Sequence, residues 1–128
     1  MSTDTEQNLK KARQLTETGN HEEARICLLE LLKEEPDNQT ALLMLGGAYF
    51  SINQLAEAEM VFERLILQSP GVGEFSIALF NTLWKLDRHE EAFEEIKRFM
   101  SHADQVEERD TIEQYIEITK KISGSGSN

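Results

Sequence analysis

A period of 34 residues runs through most of this chain, and it constrains the fold more than any other feature of the sequence. Ala24, Ala58 and Ala92 lie 34 positions apart, and Pro36 and Pro70 keep the same interval. Large apolar residues stay in step in four further columns: Leu15, Tyr49 and Leu83; Leu28, Phe62 and Ile96; Leu31, Leu65 and Phe99; and Leu45 and Leu79. So many columns in register indicate an array of repeated structural units.

Each unit is predicted to be a pair of helices. In the second unit, large apolar residues follow the spacing of one helix face at Leu42, Leu45, Tyr49 and Ile52. A polar turn at Asn53-Gln54 precedes a second amphipathic stretch, which ends at Ser69-Pro70-Gly71 because proline and glycine stop helices. The alanine column provides a small side chain where two paired helices approach most closely.

The period and these columns resemble the tetratricopeptide repeat (TPR) family, whose unit is a helix–turn–helix of 34 residues. The second unit matches the family pattern at Leu42, Leu45, Gly46, Tyr49, Ala58, Phe62 and Pro70. The first unit departs from it with polar Asn8 and Lys11, which suits an end unit that no neighbour covers. The third unit places Phe80 where the family has a small residue, so the packing of its two helices is an open question.

The resemblance covers about residues 5–104 and implies an all-α, right-handed solenoid within a single domain at 1–122. We expect repeats at about 5–38, 39–72 and 73–104, followed by a capping helix at about 106–122. The apolar stripe of that capping helix is predicted to be Ile112, Tyr115, Ile116, Thr119 and Ile122. The last residues, 123–128, read SGSGSN and are expected to form a flexible tail.

Charge and cysteine content narrow the possible partners and the compartment. The 128 residues carry 13 Lys and Arg against 24 Asp and Glu, a formal net charge of −11, which disfavours nucleic acid and anionic membranes. The segment Met1–Lys11 lacks the apolar stretch of a secretory signal, and Cys27 has no second cysteine to pair with. A cytoplasmic protein is therefore expected.

No arrangement of residues predicts catalysis. His21 and His89 share a column at the start of second helices, His102 lies near the end of the third unit, and none has the spacing of a metal site. Cys27 lies in an apolar stretch, which favours a packing role over a nucleophile. The chain is predicted not to be an enzyme and to use no metal or cofactor.

The family resemblance implies that the first helix of each unit lines a concave groove that binds another protein. Carried over residue by residue, the partner-binding positions are Leu9, Arg13, Leu43, Met44, Gly47, Phe50, Ile77, Asn81, Trp84 and Lys85. Apolar members would bury a peptide or helix of the partner, and Arg13, Asn81 and Lys85 would fix its register. Phe50 and Trp84 share one column, so they are expected to stand side by side.

Several alternatives remain open at this stage. The capping helix would fill the groove itself in one of them, and a second copy of the chain would cover it in another. The second helices carry many acids (Glu22, Glu23, Glu30, Glu57, Glu59, Glu63, Glu90, Glu91, Glu94 and Glu95), so the chain could instead be an immunity-type inhibitor of a basic toxin or nuclease. A secretion-system chaperone is a third role that the same groove would serve.

One known TPR ligand is disfavoured by the residues present. Co-chaperone TPR domains hold the C-terminal carboxylate of heat-shock chaperones with Lys, Arg and Asn side chains. The corresponding positions here are Leu9, Arg13, Met44, Glu74 and Ala78, of which one is basic. A carboxylate clamp of that type is therefore not expected.

Overall fold

The computed structural model describes residues 3–126, with side chains over residues 4–123, and within that range the chain forms seven α-helices and no strand. The helices are α1 (Thr3–Glu17), α2 (His21–Glu34), α3 (Gln39–Ser51), α4 (Leu55–Gln68), α5 (Gly73–Lys85), α6 (His89–His102) and α7 (Arg109–Gly126). This arrangement confirms the all-α fold, with three helix pairs followed by a capping helix.

The helices form two layers. Each helix from α1 to α6 packs against the next one in the chain, and the first helices of the units, α1, α3 and α5, also contact one another. α7 continues this inner layer by packing against α5. The inner layer is therefore α1, α3, α5 and α7, and its open face is the concave groove.

A left-handed backbone residue ends the first helix of every unit. Gly19 has φ 81°, Asn53 has φ 62° and Asp87 has φ 60°, and the three positions are again 34 apart. Gly, Asn and Asp are the residues that adopt this conformation most readily, so the tight turn into the second helix repeats with a suitable residue each time. The sequence carried this signal, and the repeat analysis above did not use it.

The third unit packs well despite Phe80, because the opposing side chain changes size as well. In the second unit the small Gly46 faces the large Phe62, and a Cβ atom at Gly46 would lie 2.7 Å from Phe62 Cζ. In the third unit Phe80 takes the glycine column and the smaller Ile96 takes the phenylalanine column, and both are buried. The exchange keeps the total volume similar, which packed cores tolerate.

The capping helix covers the end of the third unit, as expected, although its bounds and its stripe differ from the prediction. It begins at Arg109, and it ends at Gly126 instead of Ile122 because neither Gly124 nor Gly126 takes the left-handed backbone that would end it earlier. Residues 127 and 128 of the expected tail lie outside the described residues. Ile118 packs against the core, whereas Ile116 is 43% exposed, so the prediction of Ile116 as a core residue was wrong.

Candidate partner-binding groove

The concave face carries two cavities that together contain most of the predicted binding residues. The first, here the aromatic cavity, has a volume of about 560 Å³ and is lined by Phe50, Phe80, Asn81, Trp84, Lys85, Ile118, Lys121 and Ile122. The second, here the N-terminal cavity, has a volume of about 460 Å³ and is lined by Arg13, Thr16, Glu17, Gln39, Thr40, Leu43, Met44, Glu74 and Phe75. Both volumes fall within the usual range for ligand pockets.

Aromatic rings build the wall of the aromatic cavity. Trp84 is stacked between Phe80, at 5.8 Å between ring centroids, and His89, at 4.0 Å, and it meets the edge of Phe93 at 5.8 Å. These contacts fix the indole while leaving 38% of Trp84 exposed. A rigid, partly exposed tryptophan of this kind is a common anchor point in protein interfaces.

Phe50 faces the same cavity from the neighbouring helix α3. Its ring carries the Lys85 ammonium, with Nζ at 4.8 Å from the ring centroid. This cation–π contact joins α3 to the end of α5 and holds a positive charge at the cavity wall. Phe50 and Trp84 line one cavity, as their shared repeat column predicted.

The capping helix forms a wall of the groove and does not fill it. Ile118, Lys121 and Ile122 of α7 line the aromatic cavity opposite the α3 and α5 residues, and the cavity between them is open. These three residues were missed by the sequence analysis, which assigned groove positions to the three complete units alone. Treating α7 as the first helix of an incomplete fourth unit would have found them.

A buried polar network docks α7 and so positions that wall. Ser76 Oγ donates to Glu95 Oε2 at 2.6 Å and accepts from the Tyr115 hydroxyl at 2.7 Å. Arg98 pairs with Glu95 through Nε and Nη2, each at 2.7 Å. Burial raises the pKa of the Tyr115 phenol well above its usual range, so the phenol stays a hydrogen-bond donor.

The start of α7 makes a second contact with α5. Glu108 Oε1 accepts a hydrogen bond from the Gly73 backbone N–H at 3.0 Å, at the N-terminus of α5, where a carboxylate is favoured. A side chain at position 73 would collide here, because a Cβ atom would lie 2.8 Å from Thr111 Cβ. Gly73 therefore allows the close approach of α7, a role that the sequence analysis did not give it.

The N-terminal cavity brings Arg13 together with Leu43 and Met44, as predicted. Leu9 does not join them, because it is 6% exposed and packs in a core cluster with Ala41 of α3. The small side chain of Ala41 lets α1 and α3 approach closely enough to enclose it. The prediction of Leu9 as a partner-binding residue is corrected to a core position.

Gly47 and Ile77 complete the predicted set. Gly47 is exposed, and a Cβ atom built on it would meet nothing within 4 Å, so the groove is open at this point. Ile77 is half-buried and lines a third cavity of about 610 Å³ between α5 and α7, with Asn81, Asp110, Glu113, Gln114, Glu117, Ile118 and Lys121. This third cavity, here the acidic cavity, adjoins the aromatic cavity through shared residues.

The convex side is less uniformly acidic than the sequence indicated. Glu95 is 5% exposed and paired with Arg98, so its assignment to a solvated acidic face was wrong. Other acids of the second helices form ion pairs, including Arg88 with Glu59 at 2.7 Å and Lys97 with Glu94 at 3.4 Å. A cleft of about 530 Å³ between α4 and α6 contains several of these charges together with exposed Leu67.

The candidate chemical groups lie apart from one another. His21 is half-buried, His89 stacks on Trp84, and the Cys27 thiol faces the Asn8 carbonyl oxygen at 3.6 Å. Among the described residues, no three His, Cys, Asp or Glu side chains come together as metal ligands do. None of the helices in the part of the chain that is described has the length and apolar character needed to cross a membrane.

Comparison with known proteins identifies the repeats. The tetratricopeptide repeat family model matches residues 15–74, which contain the end of the first unit, the whole second unit and the start of the third. This match, together with the fold, identifies the chain as a tetratricopeptide repeat protein. A search of curated proteins found no match.

Solved structures with the same fold cover nearly the whole chain. The translocator chaperone SycD of the Yersinia enterocolitica type III secretion system superposes with a TM-score of 0.85 at 16% identity, over 100% of this chain and 98% of that one. The Sgt2 TPR domain of Aspergillus fumigatus gives 0.74 at 17% identity, over 99% and 84%. The first TPR domain of Spaghetti (RPAP3), bound to the HSP90 peptide SRMEEVD, gives 0.74 at 16% identity, over 93% and 95%.

Proposed function

We propose that this chain is a non-catalytic interaction module that binds a peptide or helix of a partner protein in its concave groove. The observation that carries the proposal is the open aromatic cavity, in which Trp84 is held rigidly by three rings and still exposes 38% of its surface. Apolar surface on this scale is uncommon on a soluble chain unless a partner covers it. The other groove residues, Arg13, Asn81 and Lys85 among them, add polar contacts that fix register.

The structural neighbours support groove binding over the acidic-inhibitor alternative. One of them has a bound peptide, which demonstrates that this fold can hold an extended segment. An HSP90-type tail is not the ligand proposed here, because Glu74 and Met44 occupy positions where the clamp needs polar or basic groups. Catalysis is not part of the proposal.

The full-length likeness to SycD favours a second candidate role, chaperoning a secretion substrate. It extends over 98% of that chaperone, including the equivalent of the capping helix. A secretion chaperone of this type works in the cytoplasm, the compartment expected from the sequence. The test is co-expression with secreted apolar proteins of the native host, where a stable soluble complex that depends on Trp84 supports the role and its absence contradicts it.

A pull-down from native host lysate tests the groove, with Gly47 as the point of intervention. Gly47→Leu fills the open groove without touching the core, because nothing lies within 4 Å of its Cβ position. Gly47→Ala is the matched control, since it adds a single methyl group at the same place. A partner that binds the wild type and Gly47→Ala but is lost with Gly47→Leu and with Phe50→Ala/Trp84→Ala supports groove binding.

The opposite pattern would contradict the proposal. A partner that binds all these variants equally and dissociates at high salt would use the charged convex face instead. Sedimentation of the isolated chain distinguishes the self-association alternative, because a dimer that Gly47→Leu dissociates would mean that a second copy occupies the groove.

A further inference from the structure

We propose that the aromatic cavity receives an apolar side chain of the partner that has a carboxylate beside it, attracted by Lys85 and Lys121 at the cavity wall. This inference rests on the proposed function, because it names the chemistry of the segment that the same groove would bind. It concerns the end of the groove formed by α3, α5 and α7.

The charge of this cavity is opposite to that of the protein. The sequence has 24 acidic residues against 13 Lys and Arg. The eight described residues that line the aromatic cavity nevertheless include two lysines and neither Asp nor Glu. A local positive field within a strongly negative chain selects for an anionic group and disfavours a cationic one.

The positive charge is placed where an anchored segment would meet it. Lys85 Nζ lies 4.8 Å from the centroid of the Phe50 ring, so it sits at the edge of the apolar surface that buries the anchor. Phe50, Trp84 and Ile118 supply that surface. A carboxylate next to the anchor therefore gains a charge contact while its neighbour is buried, which adds specificity to burial.

The neighbouring acidic cavity restricts where that carboxylate can lie. Asp110, Glu113 and Glu117 of α7 line it, and it shares Lys121 with the aromatic cavity. A partner carboxylate would be repelled over these acids and attracted towards Lys85. This arrangement differs from a carboxylate clamp, because neither lysine occupies one of the five clamp positions examined in the sequence.

The probe for this inference is a phage-displayed library of short random peptides, selected on the full chain and counter-selected on Gly47→Leu. We expect recurrent peptides with a large apolar residue next to Asp or Glu. Each recurrent peptide is then synthesised with the acid changed to Gln or the anchor changed to Ser. The acid-to-Gln change is expected to weaken binding roughly tenfold at low salt. At about 1 M salt, where the Debye length is near 3 Å, the two forms should bind within about twofold of each other.

Charge reversal on the protein gives the complementary measurement. Lys85→Glu/Lys121→Glu should weaken the acidic peptides at least roughly tenfold at low salt. The matched control is Lys33→Glu/Lys97→Glu, which changes net charge equally at side chains that are 70% and 75% exposed on the second helices. The control should stay within about twofold of the wild type, because those sites are remote from the groove.

The outcomes separate this inference from the proposed function. Peptides that need the open groove but lack acids, or that bind Lys85→Glu/Lys121→Glu as well as the wild type, would overturn the inference and leave groove binding intact. A library that yields no peptide dependent on the open groove would overturn both.

Discussion

Two adjacent glycines in α3 should respond to the same substitution in opposite directions. Gly46 is buried against α4, where a Cβ atom would lie 2.7 Å from Phe62 Cζ and 2.8 Å from Cδ1. Gly47 is exposed to the groove, and a Cβ atom there would meet nothing within 4 Å. Both lie inside the helix, so replacing either with alanine has the same intrinsic effect on helix formation.

The magnitudes follow from that difference. Gly47→Ala should raise the free energy of unfolding by about 1 kcal/mol, the helix propensity difference between the two residues. For a domain of this size, that gain corresponds to a rise in Tm of about 4 °C. Gly46→Ala receives the same gain, but overpacking typically destabilises a core by about 1–3 kcal/mol. Because Phe62 is 3% exposed and has little room to move, the net effect should be a loss of about 1–2 kcal/mol.

Thermal and urea unfolding of the two variants test this reasoning. Gly46→Ala/Phe62→Leu provides the control, because it recreates the pair Ala12 and Leu28 that the first unit uses in the same two columns. The loss in the double variant should be smaller than the two single losses added together. If Gly46→Ala unfolds at the same temperature as Gly47→Ala, the close packing of α3 on α4 is wrong.

Three further predictions concern single side chains. Tyr115→Phe removes the hydroxyl that donates to buried Ser76, and it should lower the free energy of unfolding by about 1 kcal/mol in urea titration. Burial, followed by the hydrogen bond with Glu59, raises the pKa of Glu63, so the folded state loses stability as pH rises through that pKa. Glu63→Gln should therefore raise Tm at pH 7 and have little effect below about pH 4, and an unchanged or lower Tm at pH 7 would contradict this. Asn53→Ala should destabilise by about 1 kcal/mol in urea unfolding because φ is 62°, whereas Asn53→Gly should unfold like the wild type.

The fold was predictable because its repeats share one set of packing requirements. The alanine column, the large apolar columns and the prolines all repeat at 34 residues, so three helix pairs followed from the period alone. The αL turn residues repeat at the same interval and were equally accessible to sequence analysis. The end of α7 was not predictable in this way, since no repeat column extends to it.

The groove was predicted less completely, because its residues depend on contacts between units. The position of Leu9 shows this: its column is half-buried at Leu43 and Ile77, and it is closed at the first unit because α1 lies against Ala41. The network of Ser76, Glu95 and Tyr115 joins three helices and has no counterpart in the other units, so no periodicity reveals it. Periodicity identifies what the units share, and the binding surface is built largely from their differences.

The fluorescence of Trp84 measures occupancy of the groove most directly, because it is the one tryptophan in the sequence and it lines the aromatic cavity with 38% of its surface exposed. The measurement is a titration of the wild-type chain with a captured partner segment, recording emission and iodide quenching. Burial of the indole should shift its emission to shorter wavelength and reduce quenching to a saturating value, and Gly47→Leu should abolish both changes. Saturating binding that leaves the emission and the quenching of Trp84 unchanged would show that the partner binds elsewhere and would contradict the account.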